Sequence, residues 1–306
     1  MRRIKSLPER FRRVDEKICQ PVGENPGGVR NAMNDNGLSI NMLGTGHATV
    51  TKCYNTCFIL REGERCFLVD GGGGNQILRI LEEQGIALTQ IHDLFITHAH
   101  SDHILGAVWI VRRIGQLMLA GKYDGELRIY ACDEVMENLQ TICGIVLMKK
   151  VTDLFGGGMR LIRLRDGDSH MILGREITFF DIMSIKLIQY GFKVAEESLF
   201  FCGDEPLNPK FYAEVKGTSW LLHEAFCLDT EQEKFKPYEK HHSTVRDVCQ
   251  TAEELQVKNL ILMHTEDSHI QDRKRLYKEE GEEVYSGRLW VPDDGERIFI
   301  KEGNRT

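Results

Sequence analysis

Three histidines and one aspartate lie within six consecutive positions, directly after the apolar segment of residues 94–96. If that segment is a strand, His98 and His100 project to the same side, because side chains alternate along a strand. Asp102 and His103 follow at once, and a tight loop can aim them at a point close to the first pair. Neutral imidazoles combined with a carboxylate suit zinc, and two such sites side by side suit two-metal hydrolysis. The spacing therefore predicts a metal centre.

A chance grouping of ordinary polar residues is the weaker interpretation, because only 11 histidines occur in 306 residues. Two further residues extend the site. Asp204 follows a strand-like segment and a glycine, and it offers a carboxylate that can bridge two ions. His264 follows the apolar segment 259–263, at the same relative place as His98 after its own strand. The predicted metal ligands are therefore His98, His100, Asp102, His103, Asp204 and His264.

The run Thr-His-Ala-His-Ser-Asp-His at residues 97–103 resembles the signature of the metallo-β-lactamase superfamily, in which it joins a strand to a helix. Two other segments are similar to motifs of ribonuclease Z. His-Glu-Ala-Phe at residues 223–226 is similar to its His-Glu-Ala-Thr motif, and His-Ser-Thr at residues 242–244 matches its His-Ser-Thr motif. The resemblance covers nearly everything from residue 38 to 270, and it is closer to ribonuclease Z than to lactamases, glyoxalases or lactonases.

This resemblance implies a metal-dependent hydrolase that cleaves a phosphodiester with a metal-activated water. It implies two divalent ions, with zinc as the first choice and manganese or iron as alternatives. Asp102 is the expected base as well as a ligand. His242, oriented by Glu224, is the expected proton donor to the leaving oxygen, because a carboxylate raises the pKa of a neighbouring histidine; the alternative is an exposed residue next to a helix N-cap. His223 is expected to be structural, because it points to the opposite face of its strand from Glu224.

The chain departs from ribonuclease Z in two places. That family has one more histidine on the first ion, shortly before a Gly-aromatic pair that corresponds here to residues 191–192, and residues 181–186 contain no histidine. We therefore expect an incomplete first site, with Asp181 or water as a substitute or with no ion at all. The intervals on either side of Asp204 are too short for the long arm that grips transfer RNA in ribonuclease Z. A small phosphodiester or an RNA handled without that arm is the expected substrate.

Two other functions remain open at this stage. The same scaffold can hydrolyse lactones, thioesters or other carbonyl compounds, although the retained Glu224 and His242 favour a phosphodiester. A non-catalytic metal-binding protein is the second alternative, and the missing histidine motivates it. Fold and metal site are shared by many activities, so the sequence does not choose the substrate.

The apolar periodicity predicts an α/β fold in which two β-rich halves are flanked by helices, an αββα four-layer sandwich. Residues 37–306 are predicted to form this single domain. Strands are predicted at residues 38–43, 57–60, 66–69, 94–96, 127–131, 159–164, 177–182, 191–194, 199–202, 220–222 and 259–263, with helices around 77–81, 104–119, 134–148 and 244–255. Four glycines at residues 71–74 are interpreted as backbone that passes close beside the metal pocket.

The amino-acid composition indicates which class of protein this is and in which compartment it is expected. A hydrophobic content of 42% is ample for a sizeable core, and no run of about eighteen apolar residues indicates a membrane span. The net charge of −7 provides no overall attraction to nucleic acid. Nine cysteines are scattered rather than arranged in pairs, which favours a reducing cytoplasm.

The first 36 residues carry several arginines but no apolar segment that would indicate a secretory signal. We expect residues 1–36 to be a poorly ordered extension, with a capping helix or a dimer arm as the alternative. A homodimer is expected from the family resemblance alone.

Overall fold

Two seven-stranded sheets form the centre of the protein. The structure is a computed structural model that describes residues 37–300, so the predicted extension at residues 1–36 lies outside the described residues. The first sheet contains, in spatial order, β14 (Arg297–Phe299), β1 (Ser39–Gly44), β2 (Cys57–Glu62), β3 (Arg65–Val69), β4 (Ile91–Phe95), β5 (Leu127–Cys132) and β6 (Met159–Leu164). The second contains β13 (Arg288–Trp290), β12 (Asn259–Met263), β11 (Trp220–Glu224), β10 (Leu199–Phe201), β9 (Tyr190–Val194), β8 (Arg175–Asp181) and β7 (Ser169–Ile172).

The two sheets have the same internal arrangement. Strands β3 to β6 run parallel in the first sheet, and strands β10 to β13 run parallel in the second. The remaining pairs are antiparallel. Parallel strands bring their carboxyl ends to one edge of a sheet, which is where open α/β sheets bind ligands. The predicted metal residues follow β4, β10 and β12, so they lie at these edges.

Helices cover the outer faces of both sheets. The helices are α1 (Gln76–Glu83), α2 (Ser101–Leu119), α3 (Asp133–Val146), α4 (Lys149–Thr152), α5 (Tyr212–Val215), α6 (Gln232–Phe235), α7 (Val245–Glu254) and α8 (Arg273–Glu282). The buried residues of α2 and α3 join the core of the first sheet, whereas those of α7 and α8 pack on the second. This is the predicted αββα sandwich. Within residues 37–300, no helix combines the length and apolar character that crossing a membrane requires.

Aromatic rings hold the two sheets against each other. Three ring contacts join the inner faces, with centroid separations of 5.2 Å for Phe58 and Phe201, 5.7 Å for Phe67 and Phe192, and 4.8 Å for Phe95 and Phe179. These rings are buried, and edge-to-face or tilted pairs at such separations stabilise a core beyond their area burial. The contacts therefore set the distance between the edges that carry the site.

The predicted elements are present, and the structure adds others near the C-terminus. The predicted strand at residues 259–263 is β12, and the predicted helix at 104–119 begins three residues earlier as α2. Sequence periodicity missed α8, β13 and β14. Helix α8 reads Arg-Lys-Arg-Leu-Tyr-Lys-Glu-Glu-Gly-Glu and lacks an apolar stripe, and each of the two strands has three residues.

Two glycines allow α2 to lie directly against the loop after β3. Gly106 N donates to Gly72 O at 2.7 Å, and Gly71 N donates to His103 O at 3.0 Å. A Cβ on Gly106 would lie 1.8 Å from Gly71 O, which is far inside contact distance. The glycine loop therefore passes close to the site, as predicted, by packing on the first turns of α2.

We expect Gly106→Ala to destabilise the protein by about 1–3 kcal/mol or more, because the added methyl group overlaps backbone that cannot move aside cheaply. The matched control is Gly144→Ala in α3, where no atom lies within 4 Å of the new Cβ. That change should be neutral or stabilising by about 0.5–1 kcal/mol. Chemical denaturation of both variants measures the difference, and equal stabilities would contradict the close approach described here.

Candidate metal centre

Asp204 lies at the centre of the site. Its Oδ2 is 3.5 Å from His98 Nε2, 3.5 Å from His103 Nε2 and 3.4 Å from His264 Nε2. His98 and His103 come from the edge of the first sheet, and Asp204 and His264 come from the second. A carboxylate oxygen between three imidazoles of two sheets has the position required of a bridging ligand.

The other predicted residues complete two overlapping groups. His98, His103 and Asp204 have ligand atoms within 4.8 Å of one another, and so do Asp102, His103 and His264. His100 directs its Nδ1 to within 2.9 Å of His98 Nε2. All six residues predicted as metal ligands therefore converge on one region.

The buried donors of this region fit divalent metal ions. His103 Nε2 and His264 Nε2 are buried and have no hydrogen-bond partner among the described residues. Such orphaned polar atoms are costly in a folded protein and call for an explanation. A set of imidazole nitrogens and carboxylate oxygens is suited to zinc, manganese or iron. Metal binding would satisfy both nitrogens at once.

Asp70 orients two of the histidines, and sequence analysis missed it. Its Oδ1 accepts from Thr97 N at 2.9 Å, and its Oδ2 accepts from Thr97 Oγ1 and from His103 Nδ1, each at 2.8 Å. Because the Thr97 hydroxyl donates to Asp70, Thr97 Oγ1 is free to accept a hydrogen bond from His98 Nδ1, which lies 2.8 Å away. Protons on both Nδ1 atoms leave both Nε2 atoms free for metal. The sequence signal that could have identified Asp70 is its position, directly after a buried strand and before four glycines.

The electrostatics of the site keep its carboxylates ionised. Burial alone would raise the pKa of Asp204, but His98 and His103 hold it well below its usual range. Burial disfavours the charged form of His103, yet the carboxylates of Asp70 and Asp102 raise its pKa above the usual value. Burial lowers the pKa of His98 well below its usual value. The ionised carboxylates are in the protonation state that binds metal, and a metal ion on His103 Nε2 would take the place of a proton there.

Gln189 lies between the segment 181–186, which contains no histidine, and the Gly-aromatic pair at residues 191–192. Its side chain is 2% exposed. Gln189 Nε2 is 3.0 Å from His98 Nδ1 and donates to Asp204 Oδ1. Asp204 N donates back to Gln189 Oε1 at 3.3 Å. The suggested substitute, Asp181, instead accepts from Met183 N at 2.8 Å.

His242 and Glu224 lie together at the edge of the centre. Glu224 is fully buried, accepts from Ser243 N at 2.7 Å, and places Oε2 3.4 Å from His242 Nδ1. The His242 ring stacks on Phe226 with centroids 5.0 Å apart and an interplanar angle of 4°. The histidine therefore lies beside the glutamate, but the two facing atoms make no hydrogen bond with each other. His223 has a structural contact, because its Nε2 accepts from Leu207 N at 3.0 Å.

A cavity of about 500 Å³ opens onto these residues. His47, which sequence analysis assigned only to a turn, lies 4.7 Å from Phe226 between ring centroids. Burial, with contributions from His264 and His242, lowers the pKa of His47 to about 4, so this imidazole is neutral near pH 7. The lining residues are His47, Ala48, Thr49, His100, Ser101, Asp102, Lys186, Asp204, Phe226, Lys240, His242 and His264.

Comparisons with known proteins agree with this geometry. A family model described as anti-Pycsar protein Apyc1 matches residues 38–282. The chain is 22% identical to the ribonuclease Z of Parabacteroides distasonis, with 86% of this chain and 99% of that protein covered. Two solved structures are similar, each matching 86% of this chain and 99% of its own. They are the metallo-β-lactamase-fold protein YhfI from Bacillus subtilis, with a TM-score of 0.68 and 17% identity, and human tRNase Z, short form, with 0.65 and 20%. The predicted fold and ribonuclease Z-like relationship are confirmed.

We expect Asp70→Asn to weaken metal binding by about 10–100-fold, because the amide cannot accept from His103 and Thr97 in the same way and the imidazole loses its orientation. Competition with a chromogenic chelator measures the change. Asp93→Asn is the control, since Asp93 is a buried carboxylate that contacts Arg128 and Tyr130 instead. Equal metal affinities in the two variants would rule out the orienting role of Asp70.

Gln189→His should strengthen binding of a second ion by about tenfold or more, because it adds an imidazole to the group formed by His98 and Asp204. Isothermal titration of the metal-free protein with zinc resolves the two binding events. Asp181→His is the control and should leave both events unchanged. A loss of metal from Gln189→His would show instead that the amide is needed to hold Asp204.

Proposed function

The chain belongs to the family described as anti-Pycsar protein Apyc1 and is a metal-dependent phosphodiesterase of the metallo-β-lactamase superfamily; from this premise we propose that its substrate is a compact phosphodiester, no larger than a single nucleotide. The observation that carries the proposal is the small cavity beside Asp204 and His264. The metal-binding residues support the proposed reaction class, and the cavity supports the proposed substrate size.

The volume of the cavity indicates the size of the molecule that it can hold. Small-molecule sites span roughly 300–1,000 Å³, and the space of about 500 Å³ here accommodates one nucleoside and its phosphate. A phosphodiester has two ester-linked groups, so a substrate that fits entirely must carry both esters on one nucleoside. A cyclic mononucleotide satisfies this condition. The short connections around Asp204 hold α5 and a few turns, and they support a substrate smaller than transfer RNA.

We assign the metal-binding role to His98, His100, Asp102, His103, Asp204 and His264. When bound there, divalent ions would neutralise phosphoryl charge and make a water molecule acidic enough to attack near neutral pH. Asp102 is 5% exposed and its carboxylate faces the cavity, so we propose it as the acceptor of the water proton. Zinc is the proposed ion, with manganese and iron as alternatives.

The other groups of the cavity bind the substrate and protonate the leaving group. His242 is held by Glu224 and faces the cavity, so we propose that it donates a proton to the leaving oxygen. Lys186 and Lys240 supply positive charge for the phosphate, and Lys186 Nζ donates to Lys240 O. Phe226 lines the same space, and Lys240 Nζ lies over its ring, 4.7 Å from the centroid.

We also propose a reducing, cytoplasmic setting and a homodimer. The eight cysteines between residues 37 and 300 are all free thiols, which supports the first part. The homodimer rests on the family resemblance, and its test is the mass measured by light scattering.

The test is hydrolysis by the zinc- or manganese-loaded protein of four substrate classes: cyclic mononucleotides, bis(p-nitrophenyl) phosphate, a transfer-RNA precursor and a lactone. We expect chelator-sensitive turnover of the cyclic mononucleotides with the highest kcat/KM. Faster cleavage of the transfer-RNA precursor would overturn the proposed size limit. Turnover of the lactone alone would move the protein to carbonyl chemistry, and the absence of turnover in the loaded protein would support a binding role.

His242→Asn should reduce kcat on a cyclic nucleotide by about 10²–10⁴-fold, because the alkoxide leaving group needs a proton. The loss should be much smaller with bis(p-nitrophenyl) phosphate, since nitrophenolate leaves without protonation. His241→Asn is the control, because this neighbouring histidine is exposed and does not line the cavity. Equal losses on both substrates would exclude proton donation by His242.

A further inference from the structure

A second group of metal-binding side chains lies outside the centre described above. Glu231, Glu266 and His269 have ligand atoms within 4.8 Å of one another. Glu231 ends a short 3-10 helix, Asp229–Glu231, and the other two residues lie in the loop between β12 and α8. We call these three residues the carboxylate–histidine cluster. None of them lines the cavity of the metal centre.

The cluster contains buried carboxylate oxygens that lack partners. Glu266 is 2% exposed, and its Oε1 makes no hydrogen bond with any described residue, while its Oε2 accepts from Ser268 N. Glu231 Oε2 is also buried without a partner. Its other oxygen accepts from His269 Nε2 and from Lys234 Nζ, each at 3.1 Å. A buried unpaired carboxylate oxygen is strongly unfavourable, and a cation bound between the two carboxylates would satisfy both oxygens.

The surroundings of the cluster are negatively charged. Burial, with contributions from Glu266 and Glu231, raises the pKa of the Cys227 thiol to about 12, so both carboxylates lie near the sulfur. Burial also raises the pKa of Glu280, whose carboxylate accepts from Asp229 N at 3.0 Å. The basic side chains that contact Glu231 are those of Lys234, which is largely exposed, and His269. Neither makes a hydrogen bond to Glu266 Oε1.

The donor set selects the class of cation. Two carboxylates and one imidazole suit zinc, manganese, iron or cobalt, whereas calcium and magnesium favour oxygen ligands throughout. The side chain of His269 is 38% exposed, so the ion can enter from solvent. Three protein ligands leave room for water to complete the coordination.

We propose that Glu231, Glu266 and His269 bind a structural divalent transition-metal ion, separate from the catalytic centre. Glu266 N donates to Phe226 O at 2.8 Å, so the backbone of the cluster is joined to that of Phe226, on whose ring His242 stacks. The ion would fasten the segment after β11 to the loop after β12. Its role is to hold the backbone beside His242 and His264 in place.

The test is the number of metal ions per chain, measured by mass spectrometry after the full-length protein is loaded with zinc, or separately with manganese, and freed of excess. His269→Gln should bind one ion fewer than the wild type. His92→Gln is the matched control, because His92 is also half-buried but lies in β4 of the first sheet, where it contacts Tyr123. It should keep the wild-type metal content.

A second variant separates lost metal from lost folding. Glu266→Gln removes the unpaired charge, so its melting temperature without metal should equal or exceed that of the wild type. Added zinc should then raise its melting temperature less than it raises that of the wild type. Unchanged metal content in His269→Gln, or an equal zinc-induced shift in Glu266→Gln, would overturn the proposal. Neither readout depends on turnover, so the result is independent of the proposed substrate.

Discussion

The hydrogen bonds of one buried carboxylate, Asp70, are the constraint on which the metal centre depends. This carboxylate accepts from the backbone and hydroxyl of Thr97 and from His103, and through Thr97 it also directs His98. Asp70 itself has a left-handed backbone with φ of 58°, which turns its side chain back toward the end of β4. The loop that follows can adopt this path because Gly71 and Gly106 let α2 approach it. Fixing the tautomers of two imidazoles therefore requires a strand end, a strained residue and a helix contact together.

The site is a product of the contact between the two sheets. The first sheet supplies the histidines that follow β4, and the second supplies Asp204 after β10 and His264 after β12. The second edge brings His264 to Asp204, and the first edge adds His98 and His103 on the other side of the same carboxylate. Packed phenylalanines between the sheets set the distance between them. The carboxyl ends of the parallel strands then bring the polar residues of both sheets to one edge. His264 also has a left-handed φ of 55°, so strain is present on both sides of the centre.

Gln189 makes the two halves of the centre unequal. The group of Asp102, His103 and His264 contains only candidate ligands, whereas the group of His98, His103 and Asp204 has the amide of Gln189 beside it. This amide fastens Asp204 through two hydrogen bonds. Gln189 thus positions the carboxylate that lies between the imidazoles. The cavity beside this carboxylate is also lined by Lys186 and Lys240, whose positive charge suits a phosphate.

The amino-acid sequence by itself determined the αββα fold and which six candidate metal ligands converge, because the apolar periodicity and the polar residues at strand ends are local patterns. The pairing of His242 with Glu224 was predicted from the resemblance to ribonuclease Z motifs. Tertiary structure alone decided the roles of Asp70 and Gln189 and the assembly of Glu231 with Glu266 and His269. These residues contact partners about 15 to 90 positions away in the sequence. The periodicity of apolar residues predicts which face of an element a side chain lies on, but it does not predict which strand ends come together.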